Sequence, residues 1–181
     1  MPEQIKITQS IDLQLITKND CKELLELMTD VYPKSYDYFW TDGGIWYLDF
    51  IYNSENVLKE LLEQNSPYFF VLLNHEKVGV LRIQYDFSYS KFPDKKASKL
   101  HRIYLHPKTH GQGIGKSLMN WTIKKCRKFG SEILWLDAMD TKIDALGFYE
   151  KFDFQVGSRV VLPYERIHLE RRGMYQMWVK L

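Results

Sequence analysis

The segment that most restricts how this chain folds is an apolar run that breaks into a glycine-rich turn and resumes as a helix. It reads Leu100-His101-Arg102-Ile103-Tyr104-Leu105-His106-Pro107, followed by Lys108-Thr109-His110-Gly111-Gln112-Gly113-Ile114-Gly115-Lys116-Ser117. Glycines at alternate positions strip side chains from the turn and leave backbone N–H groups free to face an anion. The first turn of the helix adds further unpaired N–H groups and the positive end of the macrodipole. The ligand this arrangement predicts carries phosphate. The helix is expected from Gly113 to Phe129, with Ile114, Leu118, Trp121 and Phe129 on its apolar face and Gly130 as its C-terminal cap. A second strand, Ile133 to Asp137, completes a βαβ unit, which implies two parallel neighbours and a right-handed crossover.

The flanking segments predict a sheet that is otherwise antiparallel. Ile11 to Ile16 alternates and reads as an edge strand. Asn19 or Asp20 caps a helix to Tyr32 that Pro33 ends. An aromatic loop with Asp42-Gly43-Gly44 leads to a helix over Ile45 to Tyr52. Ser54 caps the next helix, through Gln64, with Val57, Leu58, Leu61 and Leu62 inward. Tyr68 to Leu73 and Val78 to Tyr85 form a hairpin across Asn74-His75-Glu76-Lys77. Phe87 to Ser98 reads as a polar loop. Asp144 to Phe152 is a short helix, and Phe154 to Leu162 and Met174 to Leu181 are the last strands. The class is α+β, with a mixed, mostly antiparallel central sheet and helices on both faces.

The 181 residues are expected to form one domain, 1–181. A net charge of +2 supplies no field toward nucleic acid or anionic lipid, so neither a nucleic-acid nor a membrane partner is expected. No segment approaches the roughly 20 apolar residues that span a bilayer, and Met1 to Asp20 lacks the continuous apolar core of a secretory signal. Two cysteines, Cys21 and Cys126, argue against a disulfide framework and for a reducing, cytoplasmic setting. Composition excludes neither a monomer nor a homodimer.

Among glycine-rich turns, the dinucleotide fingerprint needs G-x-G-x-x-G, which Gly111, Gly113 and Gly115 do not match. The triphosphate-binding loop needs an opening glycine where His110 stands, although Gly115-Lys116-Ser117 matches its end. The segment Ile103–Pro107 followed by His110-Gly111-Gln112-Gly113-Ile114-Gly115 resembles the acetyl-coenzyme-A motif of the GNAT superfamily of N-acetyltransferases. A second block, Ala145-Leu146-Gly147-Phe148-Tyr149-Glu150-Lys151-Phe152-Asp153-Phe154, resembles that family's later motif. Three positions depart from the family pattern. His110 replaces Arg or Gln, Asp153 replaces a glycine, and Lys142 replaces an Asn seven residues before Tyr149.

The resemblance implies the GNAT fold, in which a parallel pair splays apart to bind acetyl-coenzyme A as co-substrate, with no metal. The pantetheine arm is then expected on the backbone of Ile103, Tyr104 and Leu105, and the pyrophosphate on His110, Gly111, Gln112, Gly113, Ile114, Gly115 and Lys116. Lys142 marks a further contact. Tyr149 is implied as the general acid beside the coenzyme sulfur. An alkyl amine of pKa near 10.4 is neutral about once in 2,500 molecules at pH 7, so a base is required. His101 is the candidate, on a strand face shared with Ile103 and Leu105 by alternation, with Asp137 or a water chain as alternatives. The acceptor is expected to be a small-molecule amine, in particular a cationic one such as a polyamine, met by tyrosines, tryptophans, Asp37, Asp42 and Asp49. Its pocket is expected from residues 20–64, the Phe87–Ser98 loop and the Pro163–Gly173 loop. A protein amine acceptor, or a non-catalytic coenzyme-A-binding module, are the other readings.

Overall fold

A computed structural model describes residues 4–181, so the first three positions of the one-domain reading and of the N-terminal segment lie outside the described residues. The strands are β1 (Gln4–Lys6), β2 (Ile11–Leu15), β3 (Tyr68–Leu73), β4 (Glu76–Gln84), β5 (Ala97–Leu105), β6 (Ile133–Met139), β7 (Gln155–Val161) and β8 (Gly173–Lys180). They form one sheet in the order β1-β2-β3-β4-β5-β6-β8-β7, parallel only between β5 and β6. The helices are α1 (Cys21–Val31), α2 (Pro33–Tyr36), α3 (Ile45–Tyr52), α4 (Ser54–Leu62), α5 (Ile114–Phe129) and α6 (Ile143–Glu150). No helix among the described residues is long and apolar enough to cross a membrane.

Strand alternation divides the interior into two layers. On β3, Tyr68, Phe70 and Leu72 pack with α1, α3 and α4, while Phe69 and Val71 pack with α5. β3 is buried on both faces, which is why it reads as an unbroken apolar run. The β3–β4 connection is two residues rather than the four expected. Asn74 and His75 both adopt positive φ, 48° and 70°, the pattern of a type I′ turn.

Several local expectations are corrected. β2 is not an edge strand, because β1 pairs with it. Pro33 does not stop the chain's helical path; it opens α2 at the position where its missing N–H costs nothing. Asn53, not Ser54, caps α4, its side chain accepting from the Asn56 N–H at 2.9 Å. On α4, Leu62 is 83% exposed and Leu58 also faces water, while Glu60 is turned inward at 8%. The carboxylate is drawn in by two arginines on the sheet beneath it.

Candidate active site

β5 and β6 pair only from Ala97↔Ile133 to Leu100↔Leu136. Beyond Leu100, β5 runs on to Leu105 with β4 as its sole neighbour, and beyond Leu136, β6 runs on beside β8. The two strands therefore part in the middle of the sheet. His106 N–H donates to Val78 O at 2.8 Å, which fixes the alternation of the β4–β5 ladder. Residues 102, 104 and 106 bond toward β4, and the main-chain groups of Ile103 and Leu105 face the gap. Tyr104 contributes its ring to the gap, not its backbone, contrary to the sequence expectation.

At one end of the gap lies the glycine turn. Gly111 and Gly113 have φ of +77° and +74°, which a side chain would strain. Ser117 N–H is the first of α5 to reach a carbonyl, Gly113 O at 3.0 Å. The N–H groups of Gly111, Gly113, Ile114, Gly115 and Lys116 meet no acceptor among the described residues. Gln112 is the exception in the expected row. Its N–H turns back to Thr109 O at 3.3 Å, its side chain to Lys108 O, and it does not line the cleft. A cleft of about 690 Å³ runs from His110, Gly111, Gly113, Gly115 and Lys116 past Ile103 and Leu105 to Tyr149 and Lys142.

At the other end, a cavity of about 270 Å³ shares Tyr36, Ile103, Tyr104, Lys142 and Tyr149 with that cleft. Tyr32 lines both as well, and the far wall is aromatic: Phe39, Trp40, Tyr47 and Tyr164. A bridge between Trp40 and Ile167 and the bond from His168 N–H to Phe39 O join the segment before α3 to the loop before β8. The Phe87–Ser98 loop takes no part, contrary to expectation. Tyr89 stacks on Trp135 and Phe92 packs against Trp178, farther along the same face of β6 and outside the cavity lining. Asp37, Asp42 and Asp49 are also absent from the lining. Asp42 instead accepts from the Gly44 and Trp46 N–H groups at the start of α3. The carboxylate in the cavity wall is Asp137, paired with Lys99 at 2.6 Å.

Beneath the cavity lies a charge cluster, buried except at Glu63. Arg82 and Arg102 are direct cross-strand partners on β4 and β5. Arg102 holds Glu60 with both guanidinium arms, at 2.5 and 2.7 Å. Arg82 lies 2.9 Å from Glu60 and 2.7 Å from Glu63. Two cations thus face two carboxylates, the condition under which buried charge is tolerated. The α4 helix reads as amphipathic with leucines inward, and nothing in its pattern announces this pairing.

The same cluster reassigns His101. The ladder steps from Arg82↔Arg102 to Ile83↔Leu100, so His101 is an extra, unpaired residue, a β-bulge. The bulge resets the alternation and sets His101 beside Arg82, on the opposite face from Ile103 and Leu105. Arg82 Nη1 is 2.8 Å from His101 Nδ1. A guanidinium only donates, so Nδ1 accepts and the proton of the neutral ring sits on Nε2. Burial, with Arg102, Arg82 and Lys99 nearby, holds the pKa down at about 2. His101 is therefore not placed to act as the base, because its one accepting nitrogen is taken.

Tyr149, from α6, lines both cavities. Burial, reinforced by the negative charge of Asp144, pushes its phenol up to about 12, so the hydroxyl keeps its proton. Lys142, before α6, lines both as well. Its ammonium lies over the Tyr36 and Tyr38 rings and 3.3 Å from Ser35 O. No cluster of three or more metal-ligating side chains occurs among the described residues.

Residues 22–154 match the profile of the acetyltransferase (GNAT) family. An uncharacterised N-acetyltransferase of Lactobacillus delbrueckii subsp. lactis is 25% identical over 103 residues, 57% of this chain and 60% of that protein. One from Methanocaldococcus jannaschii is 24% identical over 154 residues, 84% of this chain and 64% of that protein. The matches thus span less than two thirds of either relative. Among solved structures, PaiA N-acetyltransferase from Thermoplasma acidophilum, in complex with coenzyme A, superposes with a TM-score of 0.72 at 18% identity, covering 96% of this chain and all of that one. Spermidine/spermine N-acetyltransferase SpeG of Vibrio cholerae gives 0.67 at 13%, covering 96% and 95%. The ribosomal-protein-S18-alanine N-acetyltransferase of Escherichia coli gives 0.66 at 14%, covering 94% and 93%. At these identities the likeness is one of fold.

Proposed function

The chain belongs to the acetyltransferase (GNAT) family, and on that premise we propose that it moves the acetyl group of acetyl-coenzyme A directly to a primary amine. The observation that carries this reading is the parting of β5 from β6 after Leu100 and Leu136, which joins a row of free N–H groups to an aromatic cavity. The pyrophosphate rests on the N–H groups of Gly111, Gly113, Ile114, Gly115 and Lys116, with His110 at the rim. The pantetheine amides pair with the main chain of Ile103 and Leu105, as an added strand does. Lys142 closes the cleft where it meets the cavity.

The thioester then lies beside Tyr149. The phenol donates a hydrogen bond to the sulfur as its charge develops. A phenol pushed up to about 12 is a weaker acid than an alkyl thiol, so complete proton transfer to the thiolate is uphill. Tyr149 therefore steadies the thiolate rather than handing over its proton. Asp137, held by Lys99, takes the proton that the amine sheds, directly or through one water.

The cavity supports an acceptor with one amine on a compact aromatic or apolar body. Its rings offer stacking surface. Its carboxylate, Asp137, is already neutralised by Lys99, and Lys142 at its edge is itself paired with Asp144 at 3.6 Å. A long polycation finds no second anionic contact there, so a polyamine ranks behind, as does a protein amine. Calorimetric titration with acetyl-coenzyme A, coenzyme A and ATP tests the first step, and only the first two are expected to bind. Thiol release with 2-phenylethylamine, spermidine and a lysine peptide tests the second. Binding without transfer to any amine defeats the enzymatic reading.

A further inference from the structure

A neutral histidine with one nitrogen sealed by a guanidinium is an odd thing to place at the apex of a substrate gap. His101 is the first residue of β5 beyond the last parallel pair, and Asp137 is the first of β6. The two therefore flank the point where the strands separate. The histidine lines the cavity. Its Nδ1 is committed to Arg82, and its Nε2 meets no hydrogen-bond partner among the described residues and is not among the sealed polar atoms. What the ring presents to the cavity is a single N–H.

Resting on the acetyl-transfer reading above, we propose that His101 is a catalytic hydrogen-bond donor, its Nε2–H stabilising the oxyanion formed when the amine attacks the thioester. Arg82 is the positioning residue that fixes the tautomer. The amine lone pair forms the new C–N bond while the carbonyl π pair moves onto oxygen. Nε2–H donates to that oxygen and keeps its proton. As the carbonyl reforms, the C–S bond breaks, its electron pair leaves on sulfur, and the ammonium proton passes to Asp137 or water.

The surroundings explain why the donor stays a donor. Arg82 from β4, Arg102 and Lys99 from β5, Glu60 from α4, Glu63 just beyond its end and Asp137 from β6 face or flank the ring. Glu60 and Glu63 are already balanced by the two arginines, and Asp137 by Lys99. A second proton on His101 would add a cation with no counter-charge. A fixed N–H of this kind needs no reorganisation as charge develops, and removing one such donor typically costs about 10²–10³ in kcat.

The test uses the full chain with 2-phenylethylamine, spermidine and a lysine peptide as acceptors, and acetyl-coenzyme A labelled with ¹³C at the acetyl carbonyl. His101→Ala is expected to lower kcat about 10²-fold with acetyl-coenzyme A affinity nearly unchanged. His101→Gln supplies both an acceptor for Arg82 and a donor to the gap, and is expected to recover at least about tenfold of that loss. A base reading predicts the two variants equally inactive, because an amide takes no proton. A rise in amine KM with kcat intact would make His101 a binding residue and also overturn the proposal. Two readouts need no turnover. The infrared carbonyl stretch of bound label is expected to rise in His101→Ala and return in His101→Gln, and an unchanged stretch refutes the donor. Imidazole ¹⁵N spectra are expected to show protonated Nε2 and bare, hydrogen-bonded Nδ1 from pH 5 to 8, and a protonated Nδ1 refutes the role of Arg82. Failure to bind acetyl-coenzyme A at all would remove the proposed function itself, a separate result from any of these.

Discussion

Tyr149 and Asp153 sit four residues apart and answer to different physics. The phenol of Tyr149 is pushed up to about 12 by burial and by Asp144, so it donates throughout the working range. Tyr149→Phe is expected to lower kcat by about 10²–10³ with coenzyme affinity within a few-fold, and wild-type rates should show no inflection from this group below about pH 10. Steady-state kinetics across pH reads both. Asp153 departs from the resembling family's glycine, and the structure gives the reason a glycine suits that place. Its φ is +63°, in the left-handed region just beyond α6. Aspartate tolerates this better than most residues, at a cost. Asp153→Gly is expected to be neutral to stabilising, by up to about 1 kcal/mol, in denaturant unfolding.

At the level of elements, the glycine turn is where backbone geometry and ligand chemistry coincide. Gly113→Ala forces a side chain into φ of +74° at the cap of α5. The expected strain is about 1–2 kcal/mol, and the turn relieves it by swinging N–H groups away from the phosphate position. Calorimetry should show coenzyme A affinity falling about tenfold or more, with the far-ultraviolet spectrum retained. Hydrophobic periodicity and the glycine spacing carry most of this architecture, including the β5–α5–β6 unit and the aromatic segment before α3. What they do not carry is the bulge at His101. Alternation assigns that residue to the face of Ile103 and Leu105, and one inserted residue sends it to the other. Nor does periodicity carry the inward turn of Glu60, because a carboxylate on a leucine-rich helix reads as solvated until its two arginine partners arrive from another element. The row of N–H groups is legible as a row, but the local bond that removes Gln112 from it is not.

For the whole molecule, the neutral His101 makes stability depend on acidity. Its folded pKa, about 2, lies far below the 6.5 of an unfolded histidine. Above pH 6.5 neither state binds the proton, and this contribution is fully present. As pH falls below 6.5 the unfolded chain takes up a proton that the folded chain refuses, so stability drops by up to about 1.4 kcal/mol per pH unit. Between pH 6.5 and 4.5 this amounts to about 2–3 kcal/mol, and His101→Gln should flatten that part of the slope in urea titrations. The interrupted β5–β6 seam has a mechanical corollary. Four residue pairs are all that stitch a five-stranded ribbon to a three-stranded one, so the sheet should flex about that short seam more readily than within either ribbon. A guest threaded into the slit acts as a suture, and amide hydrogen exchange at residues 97–100 and 133–136 should slow when acetyl-coenzyme A is added. The molecule would then grip its amine only once its acetyl donor has stiffened the frame.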